Sequence, residues 1–149
     1  MTHERIVRST PLMIRAPREA VWAILTDLPR YHLWNTLSDR VESSLRLGEP
    51  VRLWVSDAGI TGRTDMFEHR LVAIRPPEHI AWAFEQGQVR TRRDQFLEAV
   101  PGGCVYRTSD SFYGPLADQM VDRMGEAICR SFDELARSLR DFAEASARD

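Results

Sequence analysis

The stretch APREAVWAILTDLPRYHLWN, residues 16–35, decides how the rest of the chain is read. Pro17 suits the first position of a helix, where a missing N–H leaves nothing unpaired. Glu19 falls in the first turn, where the helix dipole favours an acid. Ala20, Val21, Ile24, Leu25 and Leu28 recur at helical spacing and make one apolar face. Asp27 then sits where it can cap a second, shorter turn with Pro29 near its start. That turn sends Tyr31 and Trp34, three residues apart, to one side. Two short helices meeting at a corner, with a pair of aromatics aimed away from it, call for a partner surface elsewhere in the chain.

That surface is a run of strands. Upstream, residues 4–15 read as one strand, with Pro11 marking an edge or a bulge. Downstream, residues 40–47, 51–57, 63–75, 79–86, 89–100 and 104–113 read as strands separated by turn sequences such as GEP, AGITG, GQ and PGG. From Pro115 to about Ala145 the apolar spacing changes to helical. Leu116, Met120, Met124, Ile128, Leu135 and Leu139 form a stripe, with Phe132 and Phe142 beside it. The order is one strand, two short helices, six antiparallel strands and one long helix, an α+β pattern. One helix cannot cover both faces of a seven-stranded sheet. A strongly curved sheet wrapped around it buries both elements and leaves room between them.

Composition bounds the rest. The 149 residues suggest a single domain, 1–149, with an ordinary soluble composition of 43% hydrophobic and 28% charged residues. A formal net charge of −2 argues against a nucleic-acid surface. No apolar run approaches the ~20 residues of a membrane span, and the first ten residues lack a signal-peptide core, so a cytoplasmic location is expected. All 20 basic residues are Arg, which excludes lysine Schiff-base chemistry and a P-loop. Cys104 and Cys129 are expected as free thiols. His3, His32, His69 and His79 show no metal-ligand spacing, so neither a metal nor another cofactor is expected.

Four stretches carry a family resemblance: APREAVWAILTDLPRYHLWN, VAIRPPEHIAWAF, PGGCVYRTSDSFYGPL and the terminal helix. Together they make the chain, from about residue 5 to 145, resemble the START/polyketide-cyclase superfamily, also called SRPBCC or the birch-pollen-allergen-like helix-grip fold. The matching residues are Ala16–Trp22, Asp27–Leu28, Trp34–Asn35, Pro76, Pro77, Trp82, Gly102, Gly103, Phe112 and Gly114; Cys104 stands where the family has Thr. The resemblance implies a helix-grip fold whose two short helices flank a pocket mouth, with Tyr31 and Trp34 closing that end. It is less specific for function, because the superfamily holds lipid carriers, cyclases, receptors and chaperone activators.

Candidate site residues come from strand alternation. On the last strand Cys104, Tyr106, Thr108, Asp110 and Phe112 share the face expected inside. On residues 89–100, taking Phe96 as the inward anchor carries Arg92 and Asp94 in with it. Trp82 and Phe84, then Met120, Met124 and Ile128 on the long helix, complete the expected lining. Asp110, Tyr106 and Arg92 are the candidates for chemistry, although Asp110 and Arg92 suit a solvated rim equally well and Tyr106 suits plain packing. The faces of residues 51–57 and 63–75 stay open. Val51, Leu53 and Val55 outvote Trp54 for the interior, and RTDMFEHRL carries apolar residues on both parities, as a bulge would produce. Gly125 leaves space for a ligand or admits close strand packing.

Three functions compete. The first is binding of a small apolar or aromatic molecule in an internal cavity. The second is a cyclase or aromatase in which Asp110, with Tyr106 or Arg92, assists enolisation or dehydration. The third is a protein-interaction module, which would need an exposed apolar patch. A homodimer is compatible with each.

Overall fold

The computed structural model describes residues 4–56 and 62–148. His3, Asp57 and most of the AGITG turn lie outside the described residues. The elements are β1 (Glu4–Arg8), β2 (Leu12–Ile14), α1 (Arg18–Leu25), a 3₁₀ helix (Leu28–Leu33), β3 (Arg40–Ser43), β4 (Pro50–Ser56), β5 (Thr64–Arg75), β6 (His79–Gln86), β7 (Val89–Val100), β8 (Gly103–Tyr113) and α2 (Ala117–Ala147). The sheet is antiparallel in the order β1-β8-β7-β6-β5-β4-β3, with β2 also on β8. It curves around α2, whose 31 residues make a helix about 46 Å long.

Pro11 does break the first strand. β1 and β2 pair with successive halves of β8, and Ser9 bridges the gap: the Thr108 N–H donates to its Oγ at 3.0 Å, and its own N–H donates to the Thr108 carbonyl at 2.9 Å. Pro17 is one position earlier than expected, at the N-cap of α1. Asp27 stands at the N-cap of the 3₁₀ helix, but its side chain makes no cap hydrogen bond and instead lies 3.5 Å from Arg30.

Cross-strand register defines the concave face. One row runs Leu71–Trp82–Arg93–Asp110–Val7, and a neighbouring row sets His69 opposite Val51. Val51, Leu53 and Val55 do point inward, while Trp54 lies outside under the Arg40 guanidinium at 3.9 Å. A register shift between Leu71 and Ala73 puts a bulge in β5 just beyond the RTDMFEHRL stretch; Met66 and Phe67 pair regularly with Trp54 and Leu53 before it and are both exposed.

Strand β7 corrects the expectation. Arg93, Gln95 and Leu97 face the helix; Arg92, Asp94 and Phe96 face outward. The large ring of Phe96 was a misleading anchor. It is stacked on His79 at 4.4 Å under Arg107, on the convex side. There Asp94 accepts from Arg92 at 3.1 Å and lies 2.7 Å from His79 Nε2, so a charged cluster is satisfied without the interior. Val89 and Leu97 share the true inward parity and were the better signal.

The long helix serves two separate cores. Its C-terminal half contributes Leu135, Ala136, Leu139 and Ala143 to the main cluster, with Ile14, Val21, Leu25, Tyr31, Trp34 and Tyr106. Its N-terminal half makes a smaller cluster in which Ala117, Met120, Val121 and Ile128 pack with Val7 and Phe112. Gly125 lies in this half, where an added Cβ would crowd Val121 of its own helix at 3.1 Å and meet Val7 of β1 at an ordinary 3.8 Å. Between the two cores the helix stands off the sheet.

Leu97→Ala should therefore cost about 2–5 kcal/mol of stability by chemical denaturation, as a core truncation does. Phe96→Ala should cost only the outer stacking, about 0.5–1.5 kcal/mol. The reverse ranking would restore the opposite face assignment.

Candidate functional site

The gap between the two cores is a cavity of about 880 Å³. Leu53 and Val55 of β4, His69 of β5, Trp82 of β6, Arg93 of β7 and Asp110 of β8 come from the sheet. Met124, Ala127, Ile128, Ser131 and Phe132 come from α2, and Leu37 and Ser38 from the segment before β3. Ser38 is itself fixed, because its Oγ donates to the carbonyls of Arg40 at 3.0 Å and Trp54 at 2.7 Å. Asn35 holds the turn leading to it, its Oδ1 accepting from the N–H groups of Leu37 and Ser38. The walls are mostly apolar, and the polar groups gather on the sheet side.

Arg93 is the centre of that polar floor. It is only 9% exposed. Its Nε donates to Thr108 Oγ1 at 3.0 Å, and Thr108 Oγ1 in turn donates to the Asp94 carbonyl at 2.9 Å. Phe132 lies against the guanidinium, 4.6 Å from ring centre to Cζ. The group is thus held in place from two sides, while its Nη2 is buried with no hydrogen-bond partner. A guanidinium cannot shed its charge in a protein, so this donor stays charged and unmatched.

Asp110 is opposite Arg93 in register. No hydrogen bond joins the two among the described residues. Burial pushes its carboxyl up to about 7; Arg93 lowers it and Asp94, through the sheet, raises it again. The small surface it keeps opens into the cavity. His69 is shifted the other way. Burial lowers it to about 4, the Phe67 carbonyl resists that, and Arg93 adds to it. Its Nδ1 is buried without a partner of ordinary hydrogen-bond geometry. At neutral pH the floor therefore holds one fixed cation, a neutral imidazole and a carboxyl near its midpoint.

The other expected site residues are distributed around this floor rather than gathered on it. Trp82, Met124, Ile128 and Asp110 line the cavity. Phe84 packs against His69 at 5.2 Å and Phe67 at 5.8 Å. Phe112 and Met120 belong to the smaller core. Thr108 is buried and orients Arg93. Tyr106 is fully buried, its hydroxyl donating to Gln95 Oε1 at 2.6 Å. Burial raises its phenol above the ordinary range, which leaves it a packing and hydrogen-bonding residue.

Tyr31 and Trp34 stack edge to face at 5.0 Å inside the main core, 2% and 4% exposed. The Tyr31 hydroxyl donates to the Leu25 carbonyl, tying the 3₁₀ helix to the end of α1. These aromatics close the end of the grip by filling it. Arg92, Asp94 and Phe96 are on the outer face, away from the cavity. Arg93 and His69 were missed as candidates: the first through the parity of β7, the second because apolar residues on both parities of β5 obscured its inward face.

Both shifted groups predict how stability depends on pH. Asp110 is raised in the fold, so its contribution is complete below its unfolded value near 3.8 and is lost as pH rises through about 7. His69 is lowered, so its cost sets in as pH falls from about 6.5 towards 4. Asp110→Asn should melt at least about 2–4 °C above the parent at about pH 8, and that advantage should shrink steadily as pH falls and vanish only below the unfolded value of 3.8. Equal melting temperatures of the two proteins at every pH would mean that Asp110 is solvated.

Comparison with known proteins agrees with this architecture. The family described as "Polyketide cyclase / dehydrase and lipid transport" matches residues 6–144. The Zhui aromatase/cyclase from Streptomyces sp. R1128 superposes with a TM-score of 0.74 at 19% identity, covering 98% of this chain and 97% of that one. A Rhodobacter sphaeroides protein superposes at 0.75 and 19% identity, covering 99% and 100%. The di-domain aromatase/cyclase StfQ of the steffimycin biosynthetic pathway gives 0.75 at 10% identity, this chain covering 53% of it. No curated protein matches the sequence. Likeness at these identities concerns the fold; the family match spans nearly the whole chain, which therefore belongs to the polyketide cyclase/dehydrase and lipid transport family of helix-grip proteins.

Proposed function

We propose that the protein binds a small, largely apolar or aromatic molecule in the cavity between α2 and the sheet. The observation that carries this reading is the separation of the core into two clusters with a polar-floored gap between them. A fold that only needed stability would close such a gap, because interiors pack to the density of organic crystals. Apolar walls with a few convergent polar groups are the usual form of a ligand pocket. Among the described residues no helix is long and apolar enough to cross a membrane. The large exposed apolar residues, Ile6, Met13, Leu33, Leu47, Met66, Phe67 and Met124, are spread over several elements, which gives a protein-interaction module little support.

An enzyme of the cyclase or dehydratase type is the second reading, and Asp110 is the observation that favours it. A carboxyl near 7 in a cavity that Arg93 also lines is poised to exchange protons at physiological pH. In that reading Asp110 moves the proton and Arg93 steadies the oxygen on which charge develops.

The two readings share a cavity and differ in turnover. Ala127→Trp places an indole in the gap and should abolish fluorescence enhancement of N-phenylnaphthylamine while leaving the melting temperature close to the parent's. Retained probe binding in this variant would place the probe elsewhere and remove the cavity reading. Asp110→Asn separates carrier from enzyme: a loss of about 10²–10⁴ in turnover of a poly-β-ketone substrate, with probe affinity kept, supports catalysis. No turnover by the parent protein leaves binding as the function.

A further inference from the structure

We infer that the ligand is an apolar acid: a molecule whose hydrocarbon or aromatic body fills the cavity and whose single oxyanion sits between Arg93 Nη2 and the Asp110 carboxyl. This rests on the cavity reading above and adds the charge of the occupant.

Arg93 is a buried cation to which no acid is hydrogen-bonded among the described residues. It is nine-tenths buried, is fixed by Thr108 and Phe132, and has a donor nitrogen, Nη2, without a partner of ordinary hydrogen-bond geometry. A charge held inside a protein is costly unless it is paired. The two acids within reach do not serve. Asp94 points to the convex face, where His79 and Arg92 already occupy it. Asp110 faces Arg93 across the β7–β8 pair, yet no hydrogen bond joins them. These two oppositely charged residues, opposite each other in register, line the same cavity without a hydrogen bond between them, and an oxyanion entering there has a donor to meet on the Arg93 side.

The charges around that place favour an anion. Asp110 is flanked in register by Arg93 of β7 and Val7 of β1 and is raised by burial and, through the sheet, by Asp94, while His69 of β5 lines the same cavity. Across the cavity, α2 presents Arg130, Asp133, Glu134 and Arg137. Asp133 is engaged with the Thr10 N–H at 2.7 Å, so it is committed away from the opening. His69 is uncharged at neutral pH and Asp110 is partly so. The floor then carries a net positive charge, and a protonated Asp110 can donate to the same oxyanion that Arg93 receives. The chemistry fits a carboxylate, an enolate or a phenolate alike, and the apolar walls of Leu53, Val55, Trp82 and Ile128 admit only one such group on an otherwise greasy body.

The test is displacement of N-phenylnaphthylamine from the unmodified protein by naphthaleneacetate and by naphthaleneacetamide, which differ in charge and little in shape. At about pH 6.5 the acid should displace the probe at a concentration lower by about tenfold or more, the scale of one charge-assisted hydrogen bond. Its advantage should shrink as pH rises through about 8, where Asp110 ionises and repels it, and Asp110→Asn should remove that decline. Arg93→Met should abolish the preference for the acid. Should that variant fail to fold, the acid–amide comparison on the parent protein still decides. Equal displacement by both compounds overturns the inference while the cavity reading stands. A probe that binds equally well to Ala127→Trp overturns both.

Discussion

The Arg93 guanidinium, held between Thr108 and Phe132, is the constraint around which the interior of this protein is arranged. A permanent charge at the centre of the concave face cannot be covered by aliphatic side chains without a large desolvation cost. Where α2 crosses it, the helix meets the charge with the ring of Phe132, whereas at either end it packs aliphatic side chains onto the sheet. To one side, Leu135, Leu139 and Ala143 meet Ile14, Val21 and Tyr106 in a dense core. To the other, a small cluster around Phe112 and Val7 seats the first turns of the helix. The cavity is the span between two well-packed ends, and its position follows from where the charge sits.

The neighbouring acid and base are shifted chiefly by burial rather than by this cation. A buried cation would ordinarily hold an adjacent carboxylate well ionised. Asp110 instead remains raised, because burial and the through-sheet influence of Asp94 outweigh the pull of Arg93. His69 is pushed the opposite way by burial and by the same cation. One Arg on the concave face thus accompanies a carboxyl and an imidazole that are both near neutral around physiological pH. The outer face shows the alternative: Asp94 accepts from Arg92 at 3.1 Å and lies 2.7 Å from His79 Nε2, so its carboxyl is already engaged.

Much of the fold was legible in the sequence because its signals were redundant. The change from alternation to helical spacing near Pro115, the turn residues between strands and the paired short helices after Pro17 all point to one helix gripped by a curved sheet. The site was legible only where parity was. On β8, Tyr106 and Phe112 agree on the inward face, and Asp110 followed correctly. On β7 the largest ring, Phe96, belongs to the outside because His79 and Arg107 sandwich it there, so Arg92 and Asp94 were taken for Arg93. On β5, Met66 and Phe67 are apolar on opposite parities and both exposed, which hid His69 from any fixed alternation. Tyr31 and Trp34 were placed at the right end of the grip, but sequence spacing carries no information on whether an aromatic fills an end or lines it.

The central claim is that the gap under α2 is a pocket floored by the Arg93 cation, whose acid, Asp110, is held near neutrality. Carbon-13 NMR titration of the Asp110 side-chain carboxyl, assigned by its absence in Asp110→Asn, measures this directly. A midpoint near 7 is the predicted result. A midpoint in the ordinary carboxylate range, near 4, would mean that water or an ion pair already satisfies Asp110, and would contradict the account of the site.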